Sequence, residues 1–550
     1  MSELNPAPAD GVAVEGPVLR ALLDDVLPSG SRVLVLGPHG SDVLDLVSAR
    51  AASVTTVASL PDPAGTDDLR YDLLLAAGGL DLPTSEVVPG AAGQGGSGWA
   101  ERLERLAHLA APGAVVILSL PNEFVLSGLL DSRGSAWPNA GAAALVEDES
   151  RPASAADLAA ELDRVGLPAS RVFAVASSGS EPRALIDSAV ASSTRPGRFA
   201  ARVAVQALEA ASADTELLAP LADAADAAAQ AGLLSSTLSG WLAVSGPTGG
   251  RSLYARIPGH DTVLAADRSR TADDAWDIRV TPGNAEHDPS VPVKFSPAAI
   301  PAVIPDAASV EHTLIRFAAA EDVPSFRALA AALGDWARAQ FAATKPVPEC
   351  VPVWTWDELI ADADGFALGV APWRTAKSDS MESLLAAAWL RFHDRLLGGH
   401  RHHPWPAWTV GDDLVSTWLD MSGVEASPEL LARGRELADA IDGLPSTDPD
   451  LRTALLEADE ARQEASELAA HIGGLEQALA YRDRQLLVRE TRIRRLRAEL
   501  QEAVVERDKI SAEKARLHTS RTYQLANQLR RATLLARPGK LASRVRKRTR

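Results

Sequence analysis

Apolar residues along this chain follow three successive patterns. Through about residue 178, short unbroken apolar runs alternate with segments whose apolar residues recur every three or four positions. The run Val33 to Leu36 breaks at Gly37 and gives way to Gly40 and Ser41, after which Val43, Leu44, Leu46 and Val47 recur at helical spacing. This predicts a buried strand, a tight glycine turn and a helix capped at Ser41 or Asp42. Gly16 to Pro28 reads as an amphipathic lead-in helix, and Ser53 to Ala58 and Tyr71 to Ala77 as strands. Trp99 to Ala110 reads as a helix after the Gly90 to Gly98 loop, and Ala111 to Asn122 as a Pro-Gly turn entering a buried strand. Asp157 to Val165 then gives a helix and Arg171 to Ala176 a strand. Strands alternating with helices predict an α/β layer fold with a mainly parallel sheet.

The second pattern is mixed. Ala201 to Ala231 reads as two alanine-rich helices broken at Pro220, and Trp241 to Val244, Ser252 to Arg256, Val263 to Ala266 and Trp276 to Val280 read as short strands. Ser245-Gly-Pro-Thr-Gly-Gly lies between the first two of these, as a hairpin loop or, less simply, a phosphate cradle. Ser309 to Ala320 and Ser325 to Phe341 have helical periods, and two further short strands are expected between Val351 and Trp373. Trp389, Phe392, Leu396, Trp405, Trp408 and Trp418 form a candidate aromatic core.

The third pattern is a seven-residue repeat. With Leu451 as position a, the a positions run Leu451, Ala458, Ala465, Ile472, Leu479, Leu486, Ile493, Leu500, Arg507 and Lys514. The d positions run Ala454, Ala461, Leu468, Leu475, Arg482, Arg489, Leu496, Ala503, Ile510 and Leu517. Sixteen of these twenty are apolar, which predicts a self-associating coiled coil roughly 100 Å long, weakest at Gly473-Gly474. The resulting organisation is 1–178 α/β, 179–445 α+β, 446–519 coiled coil and 520–550 basic tail.

Charge sharpens this division. The net charge is −19, yet the chain from Ser520 onward carries ten Arg or Lys and no acidic residue, so the remainder stands at −29. An acidic body argues against nucleic acid as a partner, while leucines interleaved with arginines in the tail suit the surface of an anionic membrane. A single cysteine, Cys350, excludes an intramolecular disulfide framework and fits a reducing cytoplasm, with no catalytic histidine in sequence context. The start Met-Ser-Glu-Leu-Asn-Pro has no secretory pattern, and no apolar run reaches the roughly twenty residues of a membrane span. His400, His402 and His403 lack a second ligand set, so no metal site is expected. Asp357 sits where a kinase-like metal ligand would stand, but neither the Asn nor the second Asp of such a set follows it.

Val33-Leu-Val-Leu-Gly, Tyr71-Asp-Leu-Leu-Leu-Ala and Ala111-Pro-Gly-Ala-Val-Val-Ile-Leu-Ser-Leu-Pro-Asn together resemble the successive landmarks of class I S-adenosylmethionine-dependent methyltransferases. The resemblance covers about Gly16 to Ser178 and implies a Rossmann-like domain. It also implies S-adenosylmethionine as cofactor, with Gly37 and Gly40 against its methionine part, Ser59 or Asp62 near the ribose, and Asp81 near the methyl-transfer pocket. The chain departs from the family at Val35, where an acid is usual, and at His39 and Ser41 in the glycine loop. It departs again at Ala58-Ser59, where the ribose-binding acid is usual; Asp67 and Asp68 are the other nearby candidates. Leu60 to Arg70 is also too short for the helix and strand that usually shape the adenine pocket. Ser520-Arg-Thr-Tyr-Gln-Leu is similar to the ends of bacterial glycan-assembly glycosyltransferases and methyltransferases. The overall layout resembles chain-terminating methyltransferase/kinase proteins of O-antigen assembly. Two functions fit this layout. One is a methyltransferase-like protein of cell-surface glycan assembly, peripheral at the inner face of the plasma membrane, acting on a sugar hydroxyl. The other is a non-catalytic oligomeric scaffold that docks glycan-assembly enzymes.

Overall fold

The computed structural model describes residues 13–60, 70–80, 98–122, 124–130, 148–178, 180–211, 217–258, 260–270, 274–283, 291–343, 351–362, 365–398, 401–406, 409, 411–442 and 449–535. The chain divides into two compact units, Met1–Ser446 and Thr447–Arg550.

The first unit opens with α1 (Pro17–Val26), β1 (Arg32–Leu36), α2 (Ser41–Arg50), β2 (Ser53–Val57), β3 (Tyr71–Ala76), α3 (Trp99–His108) and β4 (Ala110–Pro121). β2, β1, β3 and β4 lie side by side in that order, all parallel. β1, β3 and the second half of β4 read as apolar runs because both faces of the sheet are covered there, whereas the edge strand β2, Ser-Val-Thr-Thr-Val, has no buried residue. Leu34, Leu36, Leu74, Ala76, Val116 and Leu118 face the core that holds Trp99, Leu103 and Leu106 of α3. The alternate residues Val33, Val35, Leu73, Leu75, Val115 and Ile117 face the core built by α1 and α2. The strand period of two thus divides one apolar run between two cores.

The sheet does not end at residue 178. After α4 (Ala155–Arg164) come β5 (Ala169–Ser178), β6 (Glu181–Asp187), α5 (Phe199–Ala211), α6 (Leu221–Ala231), β7 (Gly240–Ser245), β8 (Leu253–Arg256), β9 (Val263–Arg268) and β10 (Ala275–Thr281). With β11 (Val293–Phe295) set apart and β12 (Val303–Pro305) at one edge, the order is β12-β10-β9-β8-β6-β5-β7-β4-β3-β1-β2, eleven strands in a mixed α/β sheet. Every pairing from β4 to β12 is antiparallel, so the expected parallel character belongs to the first four strands. β7 and β8 do not pair with one another, which corrects the hairpin expected across Ser245 to Gly250. β7 pairs with β4 and β5, and β8 with β6 and β9. The connecting glycines serve packing instead. A Cβ on Gly249 would lie 2.8 Å from Arg171 Cβ, and one on Gly250 2.6 Å from the Tyr254 hydroxyl.

A helical layer follows: α7 (Val310–Ala319), α8 (Val323–Ala343), α9 (Met381–Gly398), α10 (Asp412–Met421) and α11 (Pro428–Asp442), with β13 (Leu359–Asp362), β14 (Gly365–Leu368) and β15 (Trp373–Thr375). Its core gathers Trp389, Phe392, Leu396 and Trp418 as the sequence suggested, and adds Phe326 and Trp356; Trp408 and Cys350 lie outside the described residues. α8 passes so close to the end of α10 that a Cβ on Gly334 would lie 2.0 Å from the Ser422 carbonyl oxygen. Gly334→Ala therefore forces two backbones apart and is expected to lower stability by about 1–3 kcal/mol in denaturant unfolding.

Asp357 and Glu358 join this layer to α5 of the sheet. Arg202 on α5 pairs with Glu358 at 3.2 Å and donates to the Asp357 carbonyl. Arg391 on α9 bridges Asp357 at 3.1 Å and Asp442 on α11 at 2.8 Å, while Arg395 pairs with Glu311 on α7 at 2.8 Å. The second unit consists of α12 (Pro449–Thr519), a single helix of 71 residues, and α13 (Arg521–Leu535). No described helix is long and apolar enough to cross a membrane.

Candidate functional site

The parallel strands change direction of succession between β1 and β3, and in open α/β sheets ligands bind in the crevice outside the carboxyl ends at such a point. Gly37 closes β1 with φ at +83°, a conformation that favours glycine, and its N–H donates to the Val57 carbonyl of β2 at 2.9 Å. Gly40 is the N-cap of α2. The sequence thus brought Gly37 and Gly40 into one turn at the crevice.

The chain's own residues line that turn. A Cβ on Gly40 would lie 2.6 Å from both Asp42 Oδ1 and Glu15 Cβ, because residues 13–16 cross the crevice immediately before α1. Ala13 N–H donates to the Ala77 carbonyl beyond β3 at 3.2 Å, and Gly40 N–H donates to the Val14 carbonyl at 3.1 Å. Val14 N–H donates to the Ser180 carbonyl at 3.0 Å, and Gly16 N–H to the Asp42 carboxylate at 3.2 Å. The Ser180 hydroxyl donates to the Glu15 carboxylate. Ala13 and Val14 are buried. Four residues therefore fasten the end of β3, the start of α2 and the β5–β6 turn to one another.

The second helix start at this edge is also satisfied internally. Trp99 N–H of α3 donates to Asp148 Oδ2 at 2.7 Å, and Ala100 N–H donates to the Ser150 hydroxyl at 3.1 Å. Burial pushes the Asp148 carboxyl up, but the Ser150 hydroxyl and the Trp99 amide outweigh it and hold it below the usual carboxylate range. An anion-accepting helix end thus already holds the chain's own carboxylate. His39 lies inside the glycine turn with Nδ1 3.2 Å from the Gly37 carbonyl, and burial pushes its imidazole down, toward the neutral form.

Ser59 lies exposed just beyond β2, at the same edge of the sheet as Gly37. Asp62 and Asp81, with the alternatives Asp67 and Asp68, lie outside the described residues. The Asn122 that closes the Leu-Pro-Asn landmark is spent on structure. Its amide donates to the Ser236 and Leu238 carbonyls, each at 2.8 Å, and fixes the end of β4 beside the start of β7. Residues 13–16 and Asp148 carry no local signal in the sequence because their partners are 26 to 166 residues away, or 49 in the case of Asp148 and Trp99.

Among the described residues no group of three or more His, Cys, Asp or Glu is placed to hold a metal ion. His402 pairs with Glu321 at 3.0 Å, and Asp357 belongs to the buried ion network rather than to a metal site. Two cavities lie away from the crevice. One of about 580 Å³ opens at the amino end of β4 beside Pro112 and Pro168, and one of about 730 Å³ lies beside β12 between Asp306 and Trp336. No protein-family model, curated protein or solved structure matches this chain.

Proposed function

We propose that the protein is a non-catalytic, self-associating scaffold of bacterial cell-surface glycan assembly, in which a methyltransferase-like fold serves to dock partners. One observation carries the reading. α12 is 71 residues long, and the a and d residues Leu479, Leu486, Ile493, Leu496, Leu500, Ile510 and Leu517 are 48–65 % exposed along it. Such a stripe is a large unpartnered apolar surface on an otherwise charged helix, and pairing with another helix is what removes it from water. The crevice supports the same reading, since the Gly40, Gly16, Trp99 and Ala100 N–H groups there donate to Val14, Asp42, Asp148 and Ser150 of the chain itself. The glycan setting rests on the layout of the chain. Sedimentation of the full chain tests the proposal: a stable oligomer is expected at micromolar concentration, and a monomer overturns it.

Methyl transfer from S-adenosylmethionine is the second reading, favoured by the Gly37 to Gly40 turn at the start of α2. Calorimetric titration of the full chain with S-adenosylmethionine and S-adenosylhomocysteine separates the two. No heat is expected from folded protein, and saturable binding restores the enzyme reading.

The tail adds a location. Leu525 and Leu529 of α13 are exposed, Arg521, Arg530 and Arg531 share the helix with them, and no acid follows Ser520. This composition favours an anionic bilayer surface, with screening by salt. Full-length protein is expected to float with phosphatidylglycerol vesicles, and a chain ending at His518 is expected to stay in the aqueous fraction.

A further inference from the structure

We infer that α12 pairs with a second copy of itself in antiparallel orientation, with Leu475 of one chain level with Leu479 of the other. The inference rests on the self-association reading and adds the direction of the partner. Its ground is the distribution of charge along one continuous helix.

Residues 449–478 carry seven acidic and two basic residues, whereas residues 479–498 carry seven basic and two acidic. The seam itself changes with them: Arg482 and Arg489 occupy d, and Arg507 and Lys514 occupy a. In a parallel, in-register pair every a layer meets its own copy and every d layer does the same. Arg482, Arg489, Arg507 and Lys514 would then each lie opposite an identical cation in a layer shielded from water. The acidic stretch would run beside the acidic stretch, and the basic beside the basic. Like charges brought together with their solvation removed are costly.

Reversing one helix removes each of these oppositions. In antiparallel pairs an a layer of one chain meets a d layer of the other. With Leu475 level with Leu479, this holds without a break from Leu451 against Ala503 to Leu500 against Ala454. Arg482 then shares a layer with Ile472, and Arg489 with Ala465. Beside the seam, the g position Arg492 faces Glu464 and the e position Glu490 faces Arg462, each pair two residues from level. The basic stretch 479–498 lies along partner residues 456–475, which carry five acids and one base. Arg507 and Lys514 fall beyond the overlap and remain in water, as do Ile510 and Leu517, so the stripe that this pairing covers ends at Ala503. The overlap of 451–503 spans about 80 Å at 1.5 Å per residue. Gly473-Gly474 falls close to its centre, where the two chains supply the weak point at nearly the same level.

Disulfide trapping in the full chain tests the orientation, with Cys350→Ser so that only introduced thiols react. Chains carrying Ala454→Cys and Leu500→Cys are co-expressed under different tags and oxidised. The expected product is the mixed 454–500 disulfide, in at least tenfold excess over the 500–500 species. Spin labels at residue 500 give a second readout, since 46 residues of offset place them about 70 Å apart along the axis in the antiparallel pair. In a parallel pair they lie side by side. An oligomer whose Leu500→Cys chains join each other, or whose labels lie within about 20 Å, overturns the orientation and leaves self-association standing. A chain that sediments as a monomer removes both.

Discussion

A chain carrying Leu486→Asp and Ile493→Asp is expected to sediment as a monomer where the parent protein is oligomeric. Both positions are on the seam, 56 % and 48 % exposed in the single chain, so the folded first unit does not depend on them. Complete burial of a large aliphatic side chain contributes about 1.5–3 kcal/mol; these are already about half covered in the single chain, so pairing adds about half of that for each of the four a dimer loses. The sum, about 3–6 kcal/mol, corresponds to about two to four decades in Kd before the burial of four carboxylates is counted. Far-ultraviolet circular dichroism is expected to lose part of its helix signal, because a long helix draws most of its stability from packing. The thermal transition of the first unit is expected to stay where it was. An oligomer that survives both substitutions places the association elsewhere, and with it the scaffold reading fails.

What was legible in the sequence depended on whether the signal was local. β1, β3 and β4 could be read because each contains a short apolar run bounded by turn residues, β2 from its β-branched valines and threonines, and α1 and α3 because their apolar residues keep a helical period. β6, Glu181-Pro-Arg-Ala-Leu-Ile-Asp, was not anticipated: its proline and charges hide a strand whose Ala184, Leu185 and Ile186 are fully buried. The larger omission concerned pairing. Strands β7 to β10 were expected individually, yet nothing in their spacing says that β7 inserts between β4 and β5 and carries the sheet across residue 178. Pairing between strands that are distant in sequence is fixed by packing, which a periodicity cannot express. The same limit applied at the crevice. Gly37 and Gly40 could be placed from a turn motif, whereas the segment that covers them is recognised only through its hydrogen bonds to Ala77, Ser180 and Gly40 itself.

Asp357→Ala is expected to lower the stability of the first unit by about 3–5 kcal/mol, the usual cost of removing one partner from a buried ion pair. Asp357 is buried between Arg391 at 3.1 Å and Arg395 at 3.9 Å, and its loss leaves two guanidinium groups with reduced compensation at the junction of α5, α7 and α9. Burial pushes the Asp357 carboxyl up, but Arg391 and Arg395 outweigh it and hold it well below the ordinary carboxylate range. A carboxyl whose folded value is depressed contributes stability that is complete above its unfolded value, near 3.9, and is lost as pH falls toward the folded one. Glu311 and Glu358 work the other way, because burial raises both and their charged forms oppose folding at neutral pH. Acidification relieves those two while it discharges Asp357, so the pH profile of the intact protein mixes opposite slopes. The difference in unfolding free energy between the parent and Asp357→Asn isolates the one group. It is expected to be constant from about pH 7 to pH 5 and to shrink steadily below about pH 4. A difference that instead grows on acidification would show that Asp357 is held protonated, and the junction would then be joined by hydrogen bonds rather than by charge.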